Sequence, residues 1–159
     1  MSKAKFLLLP KTTFNVNFQP PLVGCFTGYL PKNETSQNAL YRFGIFHDSE
    51  LITKLPAVEA GADLSSNPFN EMKILAVSFN DLNSDDRHDI TVIGKVLIAN
   101  GYRTFTQVYW GCTDNFAYED KVNSDISRDV RNLSKVRIEV VQNYVRRNGF
   151  KARCGGENP

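Results

Sequence analysis

The chain has 159 residues, of which 42% are hydrophobic and 23% are charged, and its formal net charge at pH 7 is +2. This length can bury one sizeable core, so we expect a single domain over 1–159, with 1–20 as a candidate irregular arm and 150–159 as a tail. The near-neutral charge argues against a general nucleic-acid binder, and no apolar run approaches the roughly 18 residues that a membrane span requires.

The amino terminus resembles a secretory signal peptide only at its start. Two lysines precede an apolar stretch that stops after four residues, so we interpret it as mature sequence or an artificial start. Residues 22–25, Leu-Val-Gly-Cys, match the short motif at which bacterial lipoproteins are cleaved and lipidated. No apolar segment precedes this motif, so we interpret Cys25 as a strand residue.

Short β-branched and aromatic runs between turn residues predict a mostly antiparallel, twisted sheet of about six strands. Residues 23–30 form the first such run, and residues 39–46 and 51–55 form a predicted hairpin. Residues 56–72 are too rich in Pro, Gly and Ser for regular structure.

A second hairpin is predicted further along the chain. Asn100-Gly101 is typical of a two-residue hairpin turn, so residues 90–99 should pair antiparallel with residues 102–110.

Between two apolar runs, residues 81–90 place oxygen-bearing side chains at loop positions 1, 3, 5 and 9. Alternate residues of a tightly curled loop turn towards one centre, which is the arrangement that a hard cation needs. The spacing therefore predicts a structural Ca²⁺ site between two strands. An EF-hand does not fit, because its bidentate Glu would fall on Val92. The expected ligands are the side chains of Asp81, Asn83, Asp85 and Asp89 and the backbone carbonyl of Arg87.

One position of this loop departs from the usual pattern. Such loops place Gly after the third ligand to allow a positive φ, and here the residue is Asp86, which tolerates that conformation better than most. The alternative interpretation is a connection rich in Asx turns that caps its own backbone and binds nothing. His88 is expected to face solvent, because calcium prefers oxygen.

The last third of the chain changes to helical periodicity and predicts one amphipathic helix over residues 125–148. Ser124 or Ser127 can cap its start, and Gly149 is placed to end it. A strand-like alternation at residues 136–140 competes with this prediction, but length and caps favour the helix. Its basic residues are interpreted as a solvated outer face, and the alternative is a docking face for an acidic partner or nucleic acid. The apolar positions expected to cover the sheet are Ile126, Val130, Leu133, Val140 and Tyr144. The predicted class is α+β.

Three cysteines leave one unpaired if a disulfide forms. Cys154 lies in a Gly-rich tail, so a bridge to Cys112 or Cys25 would tie that tail down in an oxidising compartment. Three reduced thiols would be the pattern of a cytosolic protein. With no zinc-type spacing and only two histidines, a zinc site is not expected.

Catalytic motifs are absent from the sequence. No Gly-x-Ser-x-Gly or glycine-rich phosphate loop occurs, and the acidic residues at 85 and 86 are better used by a cation. We therefore predict no enzymatic activity and name no catalytic residue. A hydrolase whose site shows no motif is the third-ranked function.

The run from Phe79 to Ile93 resembles the calcium loop of FG-GAP or integrin-type repeats. It occurs once, so a multi-bladed propeller is not implied. The order of elements over residues 40–147 is similar to small secreted bacterial proteins related to the periplasmic lysozyme inhibitors of Gram-negative bacteria.

The resemblance implies a function and a location for the protein. It implies a calcium-binding inhibitor or immunity protein, periplasmic or secreted after removal of a signal peptide. Its partner would be a peptidoglycan-degrading enzyme or toxin, and nucleic acid would not be a partner. The alternative that the loop equally permits is a calcium-dependent adhesion or carbohydrate-binding module.

Overall fold

The computed structural model describes residues 6–8, 13–18, 22–31, 42–55, 72–98, 101–131, 135–151 and 153–154. Nine strands and two helices occur within these ranges. In chain order they are β1 (Phe6–Leu8), β2 (Phe14–Phe18), β3 (Leu22–Pro31), β4 (Arg42–His47), β5 (Glu50–Lys54), β6 (Met72–Asn80), β7 (Asp89–Ile98), β8 (Gly101–Gly111), β9 (Phe116–Ala117), α1 (Asp120–Arg131) and α2 (Ile138–Asn148).

The strands form two antiparallel sheets. In the first sheet β1 and β2 both pair with β3, which continues to β4 and β5, and the second sheet has the order β6-β7-β8-β9. The predicted antiparallel α+β class is therefore confirmed. The number of strands is larger than the six expected, and the helical part is divided.

The two sheets pack face to face, and the helices cover the outer face of the second sheet. Side chains of successive strand residues point to opposite faces. On β7, Ile90 and Val92 join a buried cluster with Phe26 and Ile45 of the first sheet. Ile93 joins a second cluster with the helices. The result is three layers, with the second sheet in the middle and the central part of β7 buried on both sides.

The single helix predicted for residues 125–148 is wrong. Helix α1 ends at Arg131, and Arg137 is extended, with φ −134° and ψ 158°, before α2 begins. The strand-like alternation at 136–140 marks this break. Val136 precedes the N-cap residue Arg137, and Val141 is the fourth residue of α2. Both valines pack in the helix-side cluster, which lies between the second sheet and the helices. Apolar residues at these two positions fix the direction in which a chain enters a helix.

The break changes which apolar positions are buried. Ile126, Val130, Val141 and Val145 are fully buried, whereas the predicted core positions Val140 and Tyr144 are only partly buried. Leu133 lies outside the described residues. The expected end of the helix is confirmed, because Gly149 adopts a left-handed conformation with φ 62°.

Helix α1 covers part of the edge of β8 that does not pair with β7, in the place where a neighbouring strand would otherwise lie. Beyond its pairing with β7, β8 meets β9 only at Trp110 and Gly111. The Asn123 amide accepts a 2.6 Å hydrogen bond from the N–H of Val108 and donates a 3.1 Å bond to its carbonyl. The Ser127 hydroxyl does the same for Thr106, at 3.2 and 2.6 Å. These side chains satisfy backbone groups that an uncovered edge would expose.

The expected irregular arm over 1–20 is regular where the structure describes it. Strand β2 pairs with β3 in register, from Phe14 opposite Phe26 to Phe18 opposite Leu22. The alternation Phe-Asn-Val-Asn-Phe explains this, because it presents one apolar face. Cys25 lies in β3, as expected of a strand residue.

Both predicted hairpins are confirmed as strand pairs. Asp48 and Ser49 connect β4 and β5 with φ values of 47° and 69°. Strands β7 and β8 pair antiparallel down to Ile98 opposite Gly101. The segment expected to lack regular structure, residues 56–72, lies outside the described residues apart from Met72, which begins β6.

Candidate metal centre

The predicted cation loop connects β6 to β7 at one end of the second sheet. Leu82 anchors it, because this side chain is 1% exposed and packs in the helix-side cluster with Trp110 and Ile126. The polar residues on either side of Leu82 are partly buried, and the loop is held against the core.

The carboxylate of Asp81 organises the first half of the loop. Its Oδ1 accepts hydrogen bonds from the N–H groups of Ser84 and Asp85 at 2.7 and 3.2 Å, and its Oδ2 accepts one from Asp86 at 2.9 Å. Ser84 and Asp86 have φ values of 62° and 64°. The position where Gly is usual thus has the positive φ expected of it, and Asp86 adopts it.

Asp85 and Asn83 form the centre of the loop. Asp85 Oδ1 accepts a 3.0 Å bond from the N–H of Arg87, and Asp85 Oδ2 accepts a 3.0 Å bond from Asn83 Nδ2. The other amide atom, Asn83 Oδ1, is buried without a hydrogen-bond partner. A buried acceptor without a partner costs free energy, which a bound cation would recover.

Asp89 closes the loop from inside the protein. It is fully buried, and its two carboxylate oxygens accept 2.8 Å hydrogen bonds from the N–H groups of Leu82 and Gly111. Burial raises the pKa of this carboxyl from 3.8 to about 7, against the effect of the two hydrogen bonds, and the nearby charges of Asp85 and Asp81 raise it further. Negative charge is therefore costly at this position.

Gly111 is a part of the site that the sequence prediction missed. A Cβ on this residue would overlap the backbone carbonyl of His88, so a side chain there would displace the loop. The signal was the Gly that ends the run of bulky residues in β8, since Gly in a strand often marks a close backbone approach. His88, which was expected to face solvent, is partly buried.

A disulfide lies directly beside this contact. Cys112 is bonded to Cys154, with Cα atoms 5.7 Å apart, so the carboxyl-terminal tail is tied to the end of β8. This settles the pairing that the sequence left open. Cys25 is a free thiol whose Sγ donates a 3.3 Å hydrogen bond to Asn15 Oδ1.

The predicted ligands share one loop, but the acidic side chains do not converge on a single point. In the described part of the chain, no group of three or more His, Cys, Asp or Glu side chains is placed to hold a metal ion. Asp81, Asn83 and Asp85 are linked through the loop backbone and through the Asn83–Asp85 bond, whereas Asp89 lies behind them. Each ionised carboxylate keeps further lone pairs beside those used here.

Comparisons of the chain with protein-family models, with curated proteins and with solved structures find no match. Neither helix in the described ranges is long and apolar enough to cross a membrane. The loop chemistry and the disulfide are therefore the basis for inferring a function.

Proposed function

We propose that residues 81–89 bind one structural Ca²⁺ ion in an exported, non-enzymatic binding protein. The observation that carries the metal is Asn83 Oδ1, a buried acceptor without a partner inside an acidic loop. The donor set is oxygen, which suits a hard cation better than zinc or copper. The ion would be held by the side chains of Asp81, Asn83, Asp85 and Asp89 and by the carbonyl of Arg87, and the acidic side chains would have to shift towards it because they do not converge on one point in this structure.

The cation would supply charge neutralisation and rigidity. The charges of Asp81 and Asp85 disfavour ionisation of buried Asp89, and a divalent ion removes this repulsion. Asp89 also bonds to Leu82 of the loop and Gly111 of β8, so an ion would fix the loop against the middle layer of the protein. Its binding free energy would then add to the stability of the fold.

The disulfide supports export. Bonds such as Cys112–Cys154 persist in the periplasm or outside the cell, whereas cytosolic thiols are kept reduced. Together with the resemblance to periplasmic lysozyme inhibitors, this favours an inhibitor or immunity protein. Its partner would be a peptidoglycan-degrading enzyme or toxin that it meets in the same compartment.

The partner is tested by inhibition assays with purified muramidases and amidases on peptidoglycan, with the protein in calcium and in chelator. We expect at least one enzyme to be inhibited, and less strongly by Asp85→Ala than by the control Asp114→Ala, which alters an exposed acid outside the loop. If none of the enzymes is inhibited and the protein instead binds glycan in a calcium-dependent way, the inhibitor proposal fails and an adhesion module takes its place.

A further inference from the structure

The end of the second sheet opposite the calcium-type loop is basic. Five residues that we call the basic end surround it: Lys73 of β6, Lys95 of β7, Tyr102 and Arg103 of β8, and Arg131, the last residue of α1. Lys95 lies six residues along β7 from Asp89, which corresponds to roughly 20 Å. The sheet therefore carries its acidic and basic groups at separate ends.

The basic end contains two unfavourable contacts between like charges. Lys73 and Lys95 are direct cross-strand partners, an arrangement that destabilises a sheet. Arg103 lies close enough to Arg131 for its charge to add to burial in lowering the pKa of that guanidinium. No ion pair joins these four cations to an acid within the described residues. Violations of a local rule without compensation are typical of functional surfaces.

An exposed aromatic ring lies among these charges. Tyr102 is 54% exposed, and Lys73 Nζ lies 5.4 Å from the centroid of its ring. Lys95 is opposite Thr104, two residues from Tyr102, so the lysines and the tyrosine share the face of the sheet that the helices cover further along. Because β6, β7 and β8 lie side by side, these groups form a row about 10 Å wide across the strands.

We infer that the basic end binds an acidic polysaccharide, with Lys73 and Lys95 contacting its carboxylates and the Tyr102 ring, on the same face of the sheet, packing against a sugar ring. The charge of the surface complements an anionic partner, and the exposed ring favours one with flat units to stack on. Single-stranded nucleic acid also has such units. A glycan is favoured over nucleic acid because the inference rests on the proposed export, which the Cys112–Cys154 disulfide supports and which would bring the protein into contact with envelope polysaccharide.

The test measures binding to hyaluronate, which carries a carboxylate on alternate sugars, with neutral dextran and a single-stranded oligothymidylate as comparisons. All titrations are made in chelator and in calcium. The variant Lys73→Ser/Lys95→Ser is compared with Arg146→Ser/Arg147→Ser, which removes the same charge from the exposed end of α2. A further variant, Tyr102→Ser, tests the ring.

We expect hyaluronate to bind and dextran not to bind, with an affinity that falls as salt rises. The lysine variant should bind about tenfold more weakly, whereas the α2 variant should bind like the unaltered protein. Tyr102→Ser should also weaken binding. Equal losses in the two double variants, or tighter binding of the oligothymidylate than of hyaluronate, would overturn the inference.

The comparison of titrations in chelator and in calcium tests this inference separately from the proposed calcium site. The basic end is remote from the loop, so hyaluronate binding should be the same in chelator and in calcium, and Asp85→Ala should not change it. Failure of calcium binding would therefore leave this result intact. If hyaluronate bound only in calcium, the inference that the basic end is the binding surface would be wrong, and the loop would be the better candidate.

Discussion

Because the carboxyl of Asp89 is buried, we expect the free energy of unfolding to depend on pH. Calcium should remove this dependence. Its pKa in the folded protein is about 7, against an ordinary value of 3.8. A folded-state pKa above the unfolded value means that the contribution of this group to stability is fully present below about pH 4 and is lost as pH rises towards 7. The difference between about 7 and 3.8 corresponds to roughly 4 kcal/mol in the free energy of unfolding.

The assay is urea unfolding at several pH values from 4 to 8, in chelator and in saturating calcium. In chelator we expect stability to fall across this window by an amount on the order of 4 kcal/mol relative to Asp89→Asn, which cannot ionise. Asp129 does not produce this slope, because hydrogen bonds from Arg128 and Tyr144 lower its pKa below 3.8 and place its contribution at more acidic pH.

Calcium should stabilise the ionised form of Asp89 and flatten the profile. The control is Asp114→Asn, which alters an exposed carboxylate outside the loop and should keep the slope of the unaltered protein. A profile in chelator that is the same for the unaltered protein and Asp89→Asn would refute the reasoning, because burial of this carboxyl would then cost nothing.

Three further predictions concern the disulfide and Gly111 beside the loop, and the helix that covers the edge of β8. Replacing both Cys112 and Cys154 by Ser should lower stability by about 4 kcal/mol in denaturant unfolding, because the bridge closes a 42-residue separation, whereas Cys25→Ser should not have this effect. Gly111→Ala should cost about 1–3 kcal/mol by thermal unfolding, since its methyl group would overlap the His88 carbonyl; an unchanged melting temperature would show that the loop can move away. Asn123→Ala should cost about 2–4 kcal/mol by denaturant unfolding, because the N–H and carbonyl of β8 residue 108 lose their partners, and a loss under 0.5 kcal/mol would contradict the edge-covering role of α1.

The β part of the fold was predictable because its signals are local. Alternation and turn residues define β3, the β4–β5 hairpin and the β7–β8 pair. The division into two sheets was not predictable, since it depends on which strands meet across a long connection. The helical break was missed because the length and caps of the helical pattern were given more weight than the strand-like alternation at 136–140, where Arg137 is extended.

The candidate site was predictable only where its residues are consecutive. The spacing from Asp81 to Asp89 identified the loop and the positive φ after the third ligand position. The role of Gly111 depends on how β8 lies against the loop, 22 residues away along the chain; a Gly in a strand indicates a close approach but not which segment approaches. The disulfide pairing likewise depends on where the tail returns.

The central claim, one Ca²⁺ ion bound by the loop around Asn83, is tested most directly by calorimetric titration of chelator-treated protein with calcium. The account predicts one ion per chain, and at a hundredfold excess over the dissociation constant about 2.7 kcal/mol of stabilisation, or a melting temperature higher by roughly 5–11 °C. Asp85→Ala should lose both effects and Asp114→Ala should keep them. An unaltered protein that shows no heat of binding, and melts at the same temperature in calcium and in chelator, would leave only a self-capped turn and contradict the account.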